Sequence, residues 1–244
     1  LSVPLLLFRR VPYHFSQPWG PQWQKMMENI NEFLMELAKE LRPAVEAYET
    51  RLINFGPTAK AVFWKNEIHQ NQRYRILLRI LDENFEDKER IIHDFGCGYG
   101  ALYDFMKTHL KMQNTTFIGT DISPAMIKEA RRRIIDARAT FICYPLAIKA
   151  TDYTFVSGTY NMKLEKSNQN WEKYVKASLV QLWSKTRKGL AFNMLRDDVR
   201  TRYKGLYYVN GLDLLNFCER NLSKNVTLIS YPSLPDWIYF VRRN

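Results

Sequence analysis

The chain has 244 residues, 46% hydrophobic and 25% charged, which excludes a disordered or low-complexity protein and suffices for one α/β domain with an appendage. The formal charge of +11 is uneven: residues 1–90 hold 13 Lys/Arg against 12 Asp/Glu and the rest 23 against 13, so the basic excess lies in the C-terminal part, where it suits anionic partners or a solvated surface. Three cysteines (Cys97, Cys143, Cys218) without a CxxC pair, and four scattered histidines, argue against a disulfide scaffold or a protein-built metal site and fit a reduced, cytoplasmic-type compartment.

The opening LSVPLLLF is apolar for only eight residues, short of the roughly 20 a spanning helix needs, and Arg9 and Arg10 follow it instead of preceding it as in a secretory signal. An arm packing on the domain is expected, with Tyr13, Phe15, Trp19 and Trp23 as an aromatic lid or as packing against the cap. From Trp23 to Leu41, Met27, Ile30, Leu34, Leu37 and Leu41 recur at helical spacing, which predicts an amphipathic helix. A second helix is expected over 43–54, stopped by Asn54-Phe55-Gly56-Pro57, and a third over 65–81. Residues 1–89 thus read as an arm and helical cap, and residues 90–244 as the main domain.

Beyond Arg90, short apolar runs alternate with helical stretches, the signature of βαβ units and a parallel sheet. Strands are expected near 90–95, 116–120, 139–143, 153–157 and 189–194, and helices near 100–110, 124–138, 168–187 and 211–222. VTLISYP and DWIYFVRR, separated by Ser233-Leu234-Pro235, predict a terminal antiparallel pair.

The first unit carries the chemistry. Ile91-Ile92-His93-Asp94-Phe95 begins as a buried strand and runs into Gly96-Cys97-Gly98-Tyr99-Gly100, whose glycines let backbone pass close to a ligand while the next helix presents free N–H groups. Asp121 ends the second strand, where a carboxylate can accept the ribose hydroxyls of a nucleoside, and Ser123-Pro124 starts the following helix.

These residues resemble the class I S-adenosylmethionine-dependent methyltransferases, whose first motif is an acid followed by G-x-G-x-G and whose second strand ends in an acid. Asp94, Gly96, Gly98, Gly100 and Asp121 match position by position. The resemblance implies a Rossmann-like, doubly wound, mostly parallel seven-stranded sheet with a C-terminal antiparallel pair. It also implies S-adenosylmethionine as methyl donor, with Gly96 and Gly98 along its methionine part, Asp94 toward its amino group and Asp121 on its ribose. Cys97, Gly100 and Ile122 complete the expected donor set around the turn. A dinucleotide site is the rival, since Gly96, Gly98 and Ala101 satisfy G-x-G-x-x-G/A; Asp94, Gly100 and the terminal strand pair favour the methyl donor.

The fourth strand leads into Ser157-Gly158-Thr159-Tyr160-Asn161, where the family meets both donor and acceptor. Ser157 and Gly158 are therefore expected at the cofactor, and Tyr160 and Asn161 at the substrate. Trp64 and Arg73 ahead of the glycine turn are further cofactor candidates, because an arginine there could grip a carboxylate with both arms of its fork. The family's usual acid after the third strand is replaced by Phe141-Ile142-Cys143-Tyr144-Pro145, which leaves adenine to backbone groups, Cys143 or Tyr144. The stretch from Tyr144 to Thr151 is short for a crossover helix. The loop from Arg196 to Tyr208 offers Arg202, Tyr203 and Tyr207 to an anionic or aromatic acceptor, while Arg131-Arg132-Arg133 reads as a solvated face. His69, Tyr160 and Tyr203 are the candidate bases, and His93 reads as structural. A small-molecule acceptor is expected, with an RNA or protein acceptor and a non-catalytic cofactor-binding module as alternatives.

Overall fold

The computed structural model describes residues 20–81, 88–110 and 112–243. The arm with Tyr13, Phe15 and Trp19, and most of the charged connector before Arg90, lie outside the described residues.

Three helices come first: α1 (Pro21–Glu40), α2 (Arg42–Phe55) and α3 (Glu67–Leu77), with a 3-10 turn at Ala59–Val62 between the last two. Proline opens both α1 and α2, where its missing N–H costs nothing, and the Asn66 side chain accepts the His69 N–H to start α3. The helix expected over 65–81 gives way to 3-10 geometry at Leu78–Ile80.

The sheet follows with β1 (Arg90–Phe95), β2 (Thr115–Asp121), β3 (Ala139–Cys143), β4 (Thr151–Val156), β5 (Thr186–Arg196), β6 (Tyr208–Val209), β7 (Asn225–Ser230) and β8 (Asp236–Arg242). Between them lie α4 (Ala101–His109), α5 (Pro124–Arg133), α6 (Asn168–Ser184) and α7 (Gly211–Asn221). The order is β3-β2-β1-β4-β5-β8-β7 with the short β6 beside β5, making eight strands where seven were expected. The pairs β1–β2, β2–β3, β1–β4 and β4–β5 are parallel, and β8 runs antiparallel to both β5 and β7.

Both faces of the central strands are covered, so β1, β4 and β5 are buried along most of their length. On β5, Leu190, Phe192 and Met194 face a core shared with α6, α7 and the α1 residues Ile30, Leu34 and Leu37, while Ala191 faces the core under α3 and α4. The N-terminal helices thus complete the same cores as the sheet.

Three boundaries differ from the sequence expectation. α6 stops at Ser184, and β5 begins at Thr186, whose hydroxyl is hydrogen-bonded to Thr154 at 2.7 Å inside the sheet. α5 stops at Arg133 because Ile134 turns extended and packs its side chain at Gly100. No helix occupies residues 144–150, in line with the shortness of that connection. Among the described residues, no helix is long and apolar enough to cross a membrane.

Candidate functional site

Strand order changes direction between β1 and β4, and open α/β sheets bind ligands outside the carboxyl ends of strands at such a point. The glycine turn leaves β1 there. The Gly96 and Cys97 N–H groups donate to the Thr120 carbonyl at 2.7 and 3.0 Å, so the turn is tied to β2. Gly96 sits at φ +74°, and a Cβ on it would fall 2.2 Å from Thr159 Oγ1. Gly100 is restricted in the same two ways, at φ +87° and with a Cβ that would strike Ile134 Cδ1 at 2.4 Å, behind the turn.

Asp121 braces the turn from β2. Its Oδ2 accepts the Gly98 N–H and its Oδ1 the Ser123 N–H, both at 2.9 Å, and each oxygen keeps lone-pair capacity toward the cavity. Burial raises its carboxyl above the usual range, partly offset by these N–H donors and reinforced by the charge of Glu49. Asp94, inside β1 and 3% exposed, is pushed up to about 8 by burial first and the Asp121 charge second. The phenol of Tyr48 is raised by burial and by the same Asp121 charge. Two carboxyls therefore stand behind one glycine turn, a setting that favours a positively charged ligand.

Above this floor lies a cavity of about 700 Å³. Gly96–Tyr99, Asp121, Ile122 and Ser157–Thr159 line its base; Tyr48, Val62 and Trp64 of the helical segment roof it; Asn161, Met162, Tyr174, Tyr203 and Leu206 form a further wall. Roof and floor are joined by Glu49, whose Oε1 accepts the Ser123 hydroxyl at 2.9 Å and the Ala125 N–H at 3.3 Å at the start of α5. The further wall is zipped: Tyr207 N donates to Asn161 O at 2.8 Å, Lys163 N to Gly205 O at 2.9 Å, and Met162 bridges Leu206. Within this framework the buried Ser157 Oγ and Asn161 Oδ1 have no hydrogen-bond partner among the described residues.

Among the residues singled out from the sequence, Gly96, Cys97, Gly98, Asp121, Ile122, Ser157, Gly158, Trp64, Arg73, His69, Asn161 and Tyr203 meet at this cavity. Asp94 and Gly100 lie behind it. Three readings need correction. Tyr160 points into the core, fully buried beside Phe95 and Tyr174 with its hydroxyl 2.7 Å from Ser178 Oγ, so it reaches neither acceptor nor proton. Tyr207 is buried behind the wall, and the Arg202 guanidinium folds back on the Asp197 carbonyl, so neither lines the cavity. Arg73 lines the cavity with its fork already taken: Nε and a terminal nitrogen hold Asp236 Oδ2 at 2.8 and 2.5 Å, and the other terminal nitrogen donates to His69 O at 2.8 Å.

Around the expected adenine position, Tyr144 lines the cavity and its N–H donates to Asp121 O at 2.9 Å, whereas the Cys143 thiol turns to the Ile122 carbonyl. His93 is buried with its imidazole held well below its ordinary pKa by desolvation, consistent with a structural role. Tyr48, Glu49, Thr159, Asn193 and Asp236 were not anticipated. A polar residue inside an apolar strand run, as at Asn193, was the available signal for one of them.

The cradle at Gly96, the partly satisfied Asp121 carboxylate and the orphaned Ser157 hydroxyl suit a nucleoside carrying a cationic, hydrogen-bonding tail. Residues 93–152 match the methyltransferase domain family. The Mycobacterium tuberculosis protein Rv1506c, classed as a methyltransferase, is 34% identical over 155 residues, which is 62% of this chain and 92% of that protein. Among solved structures, magnesium protoporphyrin IX methyltransferase from Synechocystis PCC 6803 with bound S-adenosylhomocysteine superposes with a TM-score of 0.56 at 15% identity, over 72% of this chain and 84% of that one. A Leishmania major S-adenosylmethionine-dependent methyltransferase gives 0.55 at 15% identity over 82% of each chain. Motif, sheet order and kinship agree, and the chain belongs to the class I S-adenosylmethionine-dependent methyltransferases.

Proposed function

We propose that this methyltransferase acts on a small-molecule acceptor held between the helical cap (within residues 1–89) and the sheet domain (residues 90–244). The observation that carries this reading is the cavity of about 700 Å³ with the cap as its roof. It lies within the roughly 300–1,000 Å³ of small-molecule sites, large enough for a nucleoside donor and a modest acceptor together.

In this reading Asp121 receives the ribose hydroxyls and the Gly96–Gly98 backbone borders the methionine part. Asp94, behind the turn, contributes negative charge toward the donor's amino group. Ile122 and Tyr144 form the slot for the base, and Ser157 and Gly158 meet the donor at the end of β4. Asn161 Oδ1, neutral and able only to accept, orients a hydroxyl or amine N–H of the acceptor, with Tyr203 and Leu206 beside it. S-adenosylmethionine supplies a methyl group already activated by the sulfonium charge, so the protein's share is alignment and exclusion of water. Where the acceptor is a hydroxyl, His69 is the residue at the cavity placed to take its proton.

The Arg131-Arg132-Arg133 run is engaged within the protein. Arg131 donates to the Phe141 carbonyl, Arg133 pairs with Asp104 and Arg138 with Asp136, which weighs against an RNA-binding face. The test is transfer of label from S-adenosyl-[methyl-³H]methionine into fractionated cell extract. Label in the low-mass fraction supports the reading, and label confined to RNA or protein overturns it.

A further inference from the structure

Asn193 stands in the middle of β5, 1% exposed, within a run of apolar residues. An amide in such a place destabilises the fold unless both its ends are paired. Both are: Oδ1 accepts the Gly158 N–H at 3.0 Å, and Nδ2 donates to Asp236 Oδ1 at 2.8 Å. The orientation of the amide follows from these partners, since a flip would set donor against donor and oxygen against carboxylate.

The chain of contacts does not stop at Asp236. Its other oxygen holds Arg73 of α3, the Arg73 guanidinium lies 4.3 Å over the Trp64 ring, and the Trp64 ring lies against Gly158, where a Cβ would fall 2.7 Å from Cζ2. Gly158, Asn193, Asp236, Arg73 and Trp64 therefore close a ring drawn from the β4 turn, β5, β8, α3 and the segment before it. Gly158 is gripped from the sheet by an amide oxygen and from the cap by an indole. Arg73 and Asp236 are 3% and 0% exposed, so the grip is stiff and shielded from solvent.

We infer that Asn193, anchored by Asp236, is a positioning residue for methyl transfer: it sets the Ser157–Thr159 turn against the donor and couples that turn to the cap through Arg73 and Trp64. The inference rests on the reading that this turn meets the donor. Asn193 touches neither substrate and acts through the Gly158 amide. It also gives Arg73 a task other than gripping the donor's carboxylate, since Asp236 occupies its fork.

The test uses the full chain, S-adenosylhomocysteine as probe, calorimetric affinity, melting temperature and the ¹⁵N-resolved Gly158 amide. Saturating S-adenosylhomocysteine should move that amide in the wild-type protein. Asn193→Leu, close in volume and unable to hold either partner, should weaken affinity about tenfold, the scale of one buried polar group left unpaired. It should also displace the Gly158 resonance. A purely structural Asn193 would lower the melting temperature while the folded protein bound the probe as before, and that result overturns the inference. Should Asn193→Leu fail to fold, Asn193→Asp is compared with the exchange Asn193→Asp/Asp236→Asn, which restores one donor facing one acceptor. Recovery of affinity in the exchange supports the positioning role, and equal affinity in the two overturns it. A wild-type Gly158 amide unmoved by saturating probe overturns the reading on which the inference rests, and the inference with it.

Discussion

Trp64 lies across Gly158 so closely that a Cβ on the glycine would sit 2.7 Å from the indole Cζ2, at a backbone φ of +76° that other residues rarely adopt. Gly158→Ala therefore meets two obstacles, a left-handed backbone costing about 1–2 kcal/mol and a clash with the ring. We expect a lower melting temperature and weaker S-adenosylhomocysteine binding. Adding Trp64→Leu should recover binding in part, because it relieves the clash and leaves the backbone cost. Scanning calorimetry and titration calorimetry on the single and double variants separate the two contributions.

Asp121 brings an acceptor pair to a turn that would otherwise present only N–H groups, and in the proposed reading it accepts the ribose hydroxyls. Asp121→Asn turns one acceptor into a donor facing either Gly98 N–H or Ser123 N–H. S-adenosylhomocysteine affinity should fall about ten- to hundredfold, the range of one to two charge-assisted hydrogen bonds. Unchanged affinity by titration calorimetry would show that Asp121 serves the turn alone.

The carboxyls behind the turn give the ligand-free protein a defined pH dependence. Asp94 is held at about 8 when folded, mainly by burial and then by Asp121, against about 3.9 when unfolded. The folded state therefore binds this proton more tightly. Its contribution to stability is fully present below about pH 4 and is lost as pH rises through about 8. Melting temperature should fall between pH 5 and 8 at constant salt, and Asp94→Asn should flatten the slope. Binding of a cationic donor favours the ionised carboxyl, so donor affinity should rise over the same interval in the wild type. A melting temperature that climbs with pH there would contradict the burial of Asp94 as an acid.

The glycine turn and the cavity floor were legible because their parts are local. Asp94, the three glycines of the turn, Asp121 and Ser123 lie within two βα units, and each residue type states its own backbone or hydrogen-bonding requirement. The ring through Gly158 was not legible. Its five members are scattered from Trp64 to Asp236, and only the sheet order, with β8 inserted beside β5, brings Asp236 to Asn193. Tyr160 misled for a related reason. It stands between Thr159 and Asn161, both at the cavity, but the chain turns there and the aromatic ring goes to the core, where burying it contributes more than a place in a polar turn. Strand and helix types followed from periodicity, whereas the ends of α5 and α6 were set by packing at Gly100 and by the Thr154–Thr186 hydrogen bond, neither of which is a local signal.

Glu49 offers the last test, because it is a polar joint between α2 and the start of α5. Its carboxylate accepts from the Ser123 hydroxyl and the Ala125 N–H at the first turn of α5, where a negative charge is also favoured by the helix dipole. Glu49→Gln keeps the size and one acceptor oxygen but removes the charge. We expect a stability loss of about 0.3–1 kcal/mol, screened by salt because the group is only partly buried. The same change removes one of the charges that raise Asp121, so the Asp121 carboxyl should titrate lower in the variant. Carbon-detected NMR titration of the Asp121 carboxyl, alongside urea denaturation at low and high salt, checks both. An Asp121 titration that does not shift would mean that Glu49 acts on α5 alone and leaves the cavity floor untouched.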